Sequence, residues 1–462
     1  MSSSREQDMS ASRPTSQSLS LRIKLLFSTG DLSTSIPLAI IMFFQLYFLT
    51  DVAGLRPDLA GWAVAIGRVW DSVNDPLFGL LSDRIHSRHG RRRVVLLYGA
   101  VPLGLAFMLM WLVPPLGDIG KVIYYALTFI VFDTVFTLIH VSYNSLTPEM
   151  TQDYDERSSL NGFRMVYSIG GTLLAIILVT VLGWVVTDAR TLYFWAGIGL
   201  GVVSIIPPWI VFGVTREHDR QEDCEALPVG EAIRTTLSNR PFWMVMGLYL
   251  FSWTAASVLA AILVYFANYY LKVPGQANYL VLVAQGAAIL FIPLWVWVAR
   301  KLDKKRAFIY GTASWIMVLL ALALVQPDQV GLTYVLAFLS GSGIAVAYVL
   351  PWSMIPDIIE MDELECGQRR EGSFYAFASF FQKLGTGFSI WLLGQALAWS
   401  GYITPTAGAA LPEQPVEAVN AIRLFISVLP AAMLLISILF AWRYPISREA
   451  HKEMLAQLAE RD

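Results

Sequence analysis

The chain has 462 residues, 56% of them hydrophobic and 15% charged, with a mean hydropathy of +0.55. Soluble domains run nearer a quarter charged, so the composition excludes a water-soluble globular protein and calls for an all-α protein that crosses a membrane many times. The net charge of −2 says little, because basic residues are segregated along the chain rather than scarce.

Residues 1–25 are polar and Ser/Thr-rich, without the apolar core or small-residue cleavage site of a signal peptide, and are expected to remain as a tail. Apolar stretches of about 20 residues, the length that spans a bilayer, follow near 26–49, 58–81, 94–113, 121–146, 160–186 and 191–213. A polar interval, 214–241, precedes six more near 242–270, 276–299, 307–326, 330–355, 373–398 and 419–442. The expected organisation is a six-helix bundle over 26–213, a central loop, a second bundle over 242–443 and a tail over 444–462. Of the 33 Lys and Arg residues, 25 fall in the tails and the loops of one side, five on the other side and three within spans. Positive charge stays cytoplasmic, which places both termini in the cytoplasm. Cys224 and Cys366 then lie in cytoplasmic loops, where no structural disulfide is expected.

The two halves echo each other. Pro76-Leu77 is followed by Asp83-Arg84 and Arg91-Arg92-Arg93, and Pro293-Leu294 by Arg300-Lys301 and Lys304-Lys305-Arg306. Ser145 to Glu149 (Ser-Leu-Thr-Pro-Glu) matches Ser353 to Asp357 (Ser-Met-Ile-Pro-Asp) in the same way. Offsets of 217 and 208 residues between these matches point to two parallel six-helix repeats. Such repeats are the architecture of major facilitator transporters, which bind substrate at the midplane between the halves.

The second span holds Arg68, Asp71, Asn74 and Asp75 among Ala, Gly, Val, Ile and Trp. A charge at the bilayer centre costs about 2.5–3.5 kcal/mol. On a helix Asp71 and Asp75 share a face, with Asn74 beside them and Arg68 one turn below. Two carboxylates and an amide oxygen suit a small hard cation; the plainer alternative is an Arg-neutralised buried polar network. In the fourth span Asp133, Thr137, His140 and Asn144 form one polar stripe, which should face a cavity. Asp133, nearest the helix start, reads as structural. Lys383, about ten residues inside the eleventh span, needs a carboxylate partner, and Asp71 or Asp75 across the halves would serve. Tyr348 and Trp352, one turn apart in the tenth span, are cavity candidates. The acidic loops around Glu149 and Asp357 lie opposite basic ones that carry Asp83-Arg84, Arg92-Arg93 and Arg300 to Arg306. They are expected to act as cytoplasmic gates.

The motif Arg68-x-x-Asp71-x-x-Asn74-Asp75-Pro76 with its basic loop to Arg93 resembles the glycoside–pentoside–hexuronide:cation symporter family, to which the melibiose carrier belongs. The resemblance extends through Gly30-Asp31, Tyr47 to Gly54, Ser145 to Glu149 and Gln382 to Gly385. It implies that Asp71, Asn74, Asp75 and Thr137 bind the cation, and that Asp31, Arg164 and Tyr348 lie at the substrate; Arg68, His140, Asn144, Trp352 and Lys383 join them as substrate-side candidates by their own positions in the spans. His140 and Asn144 occupy places where the melibiose carrier has its main sugar-binding aspartate and stacking tryptophan, so the galactoside is in question. His140-Val-Ser-Tyr143 is closer to a lysophospholipid carrier of the same family.

The function implied is symport of a sugar or glycoside with Na⁺, by alternating access in a bacterial inner membrane. The alternatives are cation-dependent transport of an amphipath or H⁺-coupled symport of an anionic sugar. No nucleophile elbow, phosphate-cradling loop or His-rich cluster points to an enzyme, a cofactor or a transition metal. No nucleic-acid partner is expected, and the resemblance implies a monomer.

Overall fold

The structure is a computed structural model that describes residues 19–82, 87, 90, 92–151, 154–215, 236–366, 371–405, 411–446 and 448–459. Secondary structure within them is entirely helical. In chain order the helices are α1 Leu21–Val52, α2 Pro57–Ser82, α3 Arg93–Met110, α4 Asp118–Met150, α5 Tyr154–Val185 and α6 Ala189–Val214. They continue as α7 Arg240–Tyr270, α8 Ala277–Leu302, α9 Lys304–Ala323, α10 Val330–Cys366, α11 Glu371–Trp399, α12 Val416–Arg443 and α13 Arg448–Ala459.

Among the described residues ten of these helices are long and apolar enough to cross a membrane. The two others of spanning length are α2, which carries Asp58, Arg68, Asp71 and Asp75, and α11, which carries Lys383. They pack more extensively on each other than any other pair. Glycine makes that approach possible. A Cβ on Gly394 of α11 would lie 2.6 Å from the Pro57 carbonyl oxygen and 3.0 Å from the Gly61 Cα of α2. Close backbones gain van der Waals contact, the main attraction left between helices in lipid.

Helix pairings recur six helices on. The contacts α1–α5, α2–α4, α3–α4 and α3–α6 reappear as α7–α11, α8–α10, α9–α10 and α9–α12. The two sets meet through α1–α7, α2–α11 and α5–α8.

Irregular backbone is repaired locally, as a helix out of water requires. A 3₁₀ turn at Thr29–Asp31 interrupts α1, and the hydroxyls of Thr29, Ser33 and Thr34 return to the carbonyls of Leu26, Gly30 and Asp31 at 2.7–3.0 Å. Asp188 caps α6 by accepting from the Thr191 amide at 2.8 Å, and Asn239 caps α7. The Thr191 hydroxyl and amide hold the Asp188 carboxyl below its usual range. Where the sequence reading has a loop from 356, α10 runs on to Cys366, because Pro351 and Pro356 are carried inside the helix. The expected tail after 443 contains α13, and α5 begins at Tyr154, ahead of the apolar stretch near 160–186.

Candidate cation and substrate site

Two polar knots share α4. The first joins α2, α4 and α11. Arg68 Nη1 donates to Asp71 Oδ2 at 3.2 Å, one turn apart on α2. From α11, Lys383 Nζ lies 2.5 Å from Asp71 Oδ1 and 3.4 Å from the Asp71 carbonyl oxygen. A single carboxylate thus sits between a guanidinium of its own helix and an ammonium of the other six-helix set. Gly387 clears the way, because a Cβ there would come within 2.6 Å of the Arg68 Cβ.

Asn74, 0% exposed, donates from Nδ2 to Asp133 Oδ2 at 2.8 Å and to the Asp133 carbonyl oxygen at 3.2 Å. Thr137 is buried one turn further along α4. Asp133, structural on the sequence reading, therefore stands inside this knot and fixes the Asn74 amide. That leaves Asn74 Oδ1 buried and, among the described residues, without a hydrogen-bond partner. A buried acceptor without a donor is costly, and a small cation among carboxylate and amide oxygens would satisfy it. Asp75 lies one turn beyond Asp71 on α2, but its side chain is outside the described residues, as are those of Asp83, Arg84 and Glu149.

The second knot joins α1, α4 and α5. Arg164 grips Asp31 side-on with one edge, Nε to Oδ2 at 2.9 Å and Nη2 to Oδ1 at 3.2 Å. The same guanidinium reaches Thr147 Oγ1 at 2.9 Å and Asn144 Oδ1 at 2.6 Å. Asn144 Nδ2 lies 3.0 Å from His140 Nε2, and the exposed His140 ring stacks on Phe136. The Tyr143 hydroxyl donates to Asp31 Oδ2 at 2.7 Å while its ring lies under the Arg164 guanidinium. Gly30 admits that ring, since a Cβ there would fall 2.4 Å from it. Tyr143 and Thr147 are absent from the sequence-based set. Their spacing of four places them together on α4, but only the position of Arg164 reveals what they hold.

The second set carries an aromatic cluster of its own. Trp352 donates its Nε1–H to the Tyr249 hydroxyl at 2.9 Å and stacks on Tyr375 of α11, and Tyr348 packs on Trp253 of α7. The sequence singles out Tyr348 and Trp352; their partners Tyr249, Trp253 and Tyr375 carry no local signal.

At the end bearing the termini, described contacts stay within each set and repeat between them. Arg92 donates to the Ser145 carbonyl and Lys304 to the Ser353 carbonyl, both at 2.7 Å. Arg93 donates to the Phe212 carbonyl at 2.7 Å and Lys305 to the Tyr444 carbonyl at 2.9 Å. Asp357 is held by Lys304 at 2.6 Å and by the Tyr444 hydroxyl at 3.2 Å, and His451 of α13 lies 3.5 Å away. Burial and the Asp357 charge push the Tyr444 phenol upward.

A sequence profile described as MFS/sugar transport protein matches residues 26–448. The chain belongs to this major facilitator family. It is 34% identical to an uncharacterized symporter of Synechocystis, over 96% of this chain and 98% of that protein. It is 27% identical to the sodium-dependent lysophosphatidylcholine symporter 1-A of Danio rerio, over 96% and 89% of the two chains. It is also 27% identical to the putative glycoside/cation symporter YagG of Escherichia coli, over 90% of each. The crystal structure of a D-xylose-proton symporter shares the fold, with a TM-score of 0.68, 17% identity and 93% and 98% of the chains covered. The protein is an integral, multi-pass membrane transporter of the cation-symporter class.

Proposed function

We propose that the protein couples uptake of a sugar or glycoside to sodium entry by alternating access, through twelve spans in two six-helix bundles with both termini in the cytoplasm. The pairing of helices six apart supports the two-bundle reading. The observation that carries the coupling is Asp71 clasped between Arg68 and Lys383 beside an Asn74 oxygen that has no partner among the described residues.

Sodium enters as cargo and takes ligands from Asp71, Asn74, Asp75, Asp133 and Thr137. To bind Asp71 Oδ1 it displaces the Lys383 ammonium, which loosens the α2–α11 seam and links cation occupancy to the arrangement of the two bundles. The same clasp can be opened by a proton on Asp71, so a proton-coupled carrier is the version that sodium dependence excludes. Substrate binds between the second knot and the aromatic cluster. Arg164 holds Asp31 and Asn144 in fixed positions, where their oxygens and His140 are aimed for hydroxyl or headgroup contacts. The cluster around Tyr348 and Trp352 covers an apolar face.

A second cargo, a lysophospholipid-like amphipath, is favoured by the named symporters of that substrate and by the histidine and amide that replace a sugar-binding acid and tryptophan. One experiment separates these readings: thermal stabilisation of the purified protein by glycosides, hexuronides and lysolipids, each with and without Na⁺. Sodium-dependent stabilisation by a glycoside supports the first cargo, and by a lysolipid the second. If Asp71→Asn leaves gradient-driven accumulation in reconstituted vesicles intact, the cation site is misplaced.

A further inference from the structure

The ends of α1 and α7, on the face away from the termini, both finish in a π-turn, at Phe48–Val52 and Phe266–Tyr270. The turns are 218 residues apart, as Asp51 and Tyr269 are. Tyr47, Thr50 and Asp51 of the first set therefore correspond to Tyr265, Asn268 and Tyr269 of the second. A π-turn inserts one residue into the helical register and recurs at functional sites. Here it turns both triplets toward the seam.

The contacts across the seam are reciprocal. Thr50 Oγ1 lies 2.7 Å from the Tyr265 hydroxyl, and the equivalent Asn268 Nδ2 donates to the Tyr47 hydroxyl at 3.1 Å. The Tyr47 and Tyr265 rings meet edge to face, 5.6 Å between centroids. Where the two turns face each other, the Tyr269 hydroxyl donates to Asp51 Oδ1. Tyr402, from the segment after α11, donates to the same oxygen at 2.8 Å. Among the described residues Asp51 accepts only from hydroxyls, with no basic side chain paired to it.

A permanent seam would be sealed at less cost by apolar side chains, since a carboxylate away from water carries a desolvation penalty. Hydroxyl-to-carboxylate bonds are strong and directional when made, and water can replace all of them when the two sides part. We propose that this reciprocal cluster is the latch that holds the far side of the carrier shut, with Asp51 as the shared acceptor. It opens as a unit when the binding site turns to that side. The inference rests on the alternating-access reading, and on neither the cation nor the cargo assigned above.

Spin labels at Asp118→Cys and Glu413→Cys, on far-side segments of the two sets, report the separation in nanodiscs by pulsed dipolar distance measurement. The background carries Cys224→Ser and Cys366→Ser. Tyr269→Phe removes one donor at nearly constant shape and is expected to raise the open-to-shut ratio about tenfold. Asp51→Ala removes the acceptor and shifts the ratio further, with or without Na⁺. Tyr125→Phe, whose hydroxyl donates to the Leu112 carbonyl within one set, leaves the distances unchanged. Should Asp51→Ala not fold, Tyr269→Phe and Tyr402→Phe carry the test. Wild-type distance distributions in variants that melt normally would overturn the latch while leaving the carrier cycle intact. A wild type whose distances never move with any Na⁺ or substrate condition would overturn the cycle itself, and the latch with it.

Discussion

Lys383→Met removes the ammonium from Asp71 while keeping a long unbranched side chain in the α2–α11 seam. Removing one partner of a buried ion pair costs about 3–5 kcal/mol when the other is left uncompensated. Here the Asp71 side chain is 6% exposed, but Arg68 still holds its second oxygen at 3.2 Å, and the Lys383 side chain is 23% exposed. Both features lower the loss, to about 2 kcal/mol in sodium-free protein. In the proposed mechanism sodium must break the same contact, so deleting it raises apparent sodium affinity by about 10- to 100-fold. Thermal melting of purified wild type and variant across a sodium titration, with potassium as the control, measures both quantities. The variant is expected to melt lower without sodium and to reach half-maximal stabilisation at a sodium concentration at least about tenfold lower. A midpoint that is unchanged, or moved to higher sodium, would refute competition between the ammonium and the cation.

Two further outcomes test the packing around the knots. Gly394→Val pushes a branched side chain against the Pro57 carbonyl and Gly61, where backbone has no room to yield. It is expected to cost about 1–3 kcal/mol and to abolish vesicle uptake, and wild-type melting with normal uptake would contradict the close approach. Arg164→Lys keeps the charge but cannot span Asp31, Asn144 and Thr147 at once. Substrate-induced stabilisation should fall at least tenfold in apparent affinity, at a folding cost of about 2 kcal/mol, while sodium-induced stabilisation persists. Equal loss of both would mean that the two knots act as one site.

The sequence made the spans legible because membrane helices must be apolar for their whole length, which leaves Arg68, Asp71, Arg164 and Lys383 conspicuous. It also narrowed the partner of Lys383 to two aspartates, of which Asp71 is the one the described contacts place beside it. Asp133 was harder to interpret. Its position in the α4 stripe is plain, yet which neighbour it holds depends on how α2 lies against α4. The aromatic partners Tyr249, Trp253 and Tyr375 were hidden for a different reason: aromatics are common in such a chain, and only tertiary contact shows which of them pack on Tyr348 and Trp352. The acidic stretch after Ile355 reads as a loop, yet α10 runs through it to Cys366 with Pro351 and Pro356 inside the helix, where neighbouring groups repair the backbone. The π-turns of α1 and α7 leave no mark on composition at all.

The glycine-lined seam between α2 and α11 also has a consequence for how the protein is made. The two helices least suited to lipid are each other's principal partner, yet Asp71 and Lys383 are separated by 312 residues. At about 5–20 residues per second, α2 waits roughly 15–60 s in the translocation machinery or the bilayer before α11 exists. During that wait the pair Arg68–Asp71, one turn apart on the same helix, is the neutralisation α2 carries with it. Arg68 therefore has a duty early in biogenesis, and Arg68→Met should lower the yield of inserted protein more than it lowers the stability of the protein that survives.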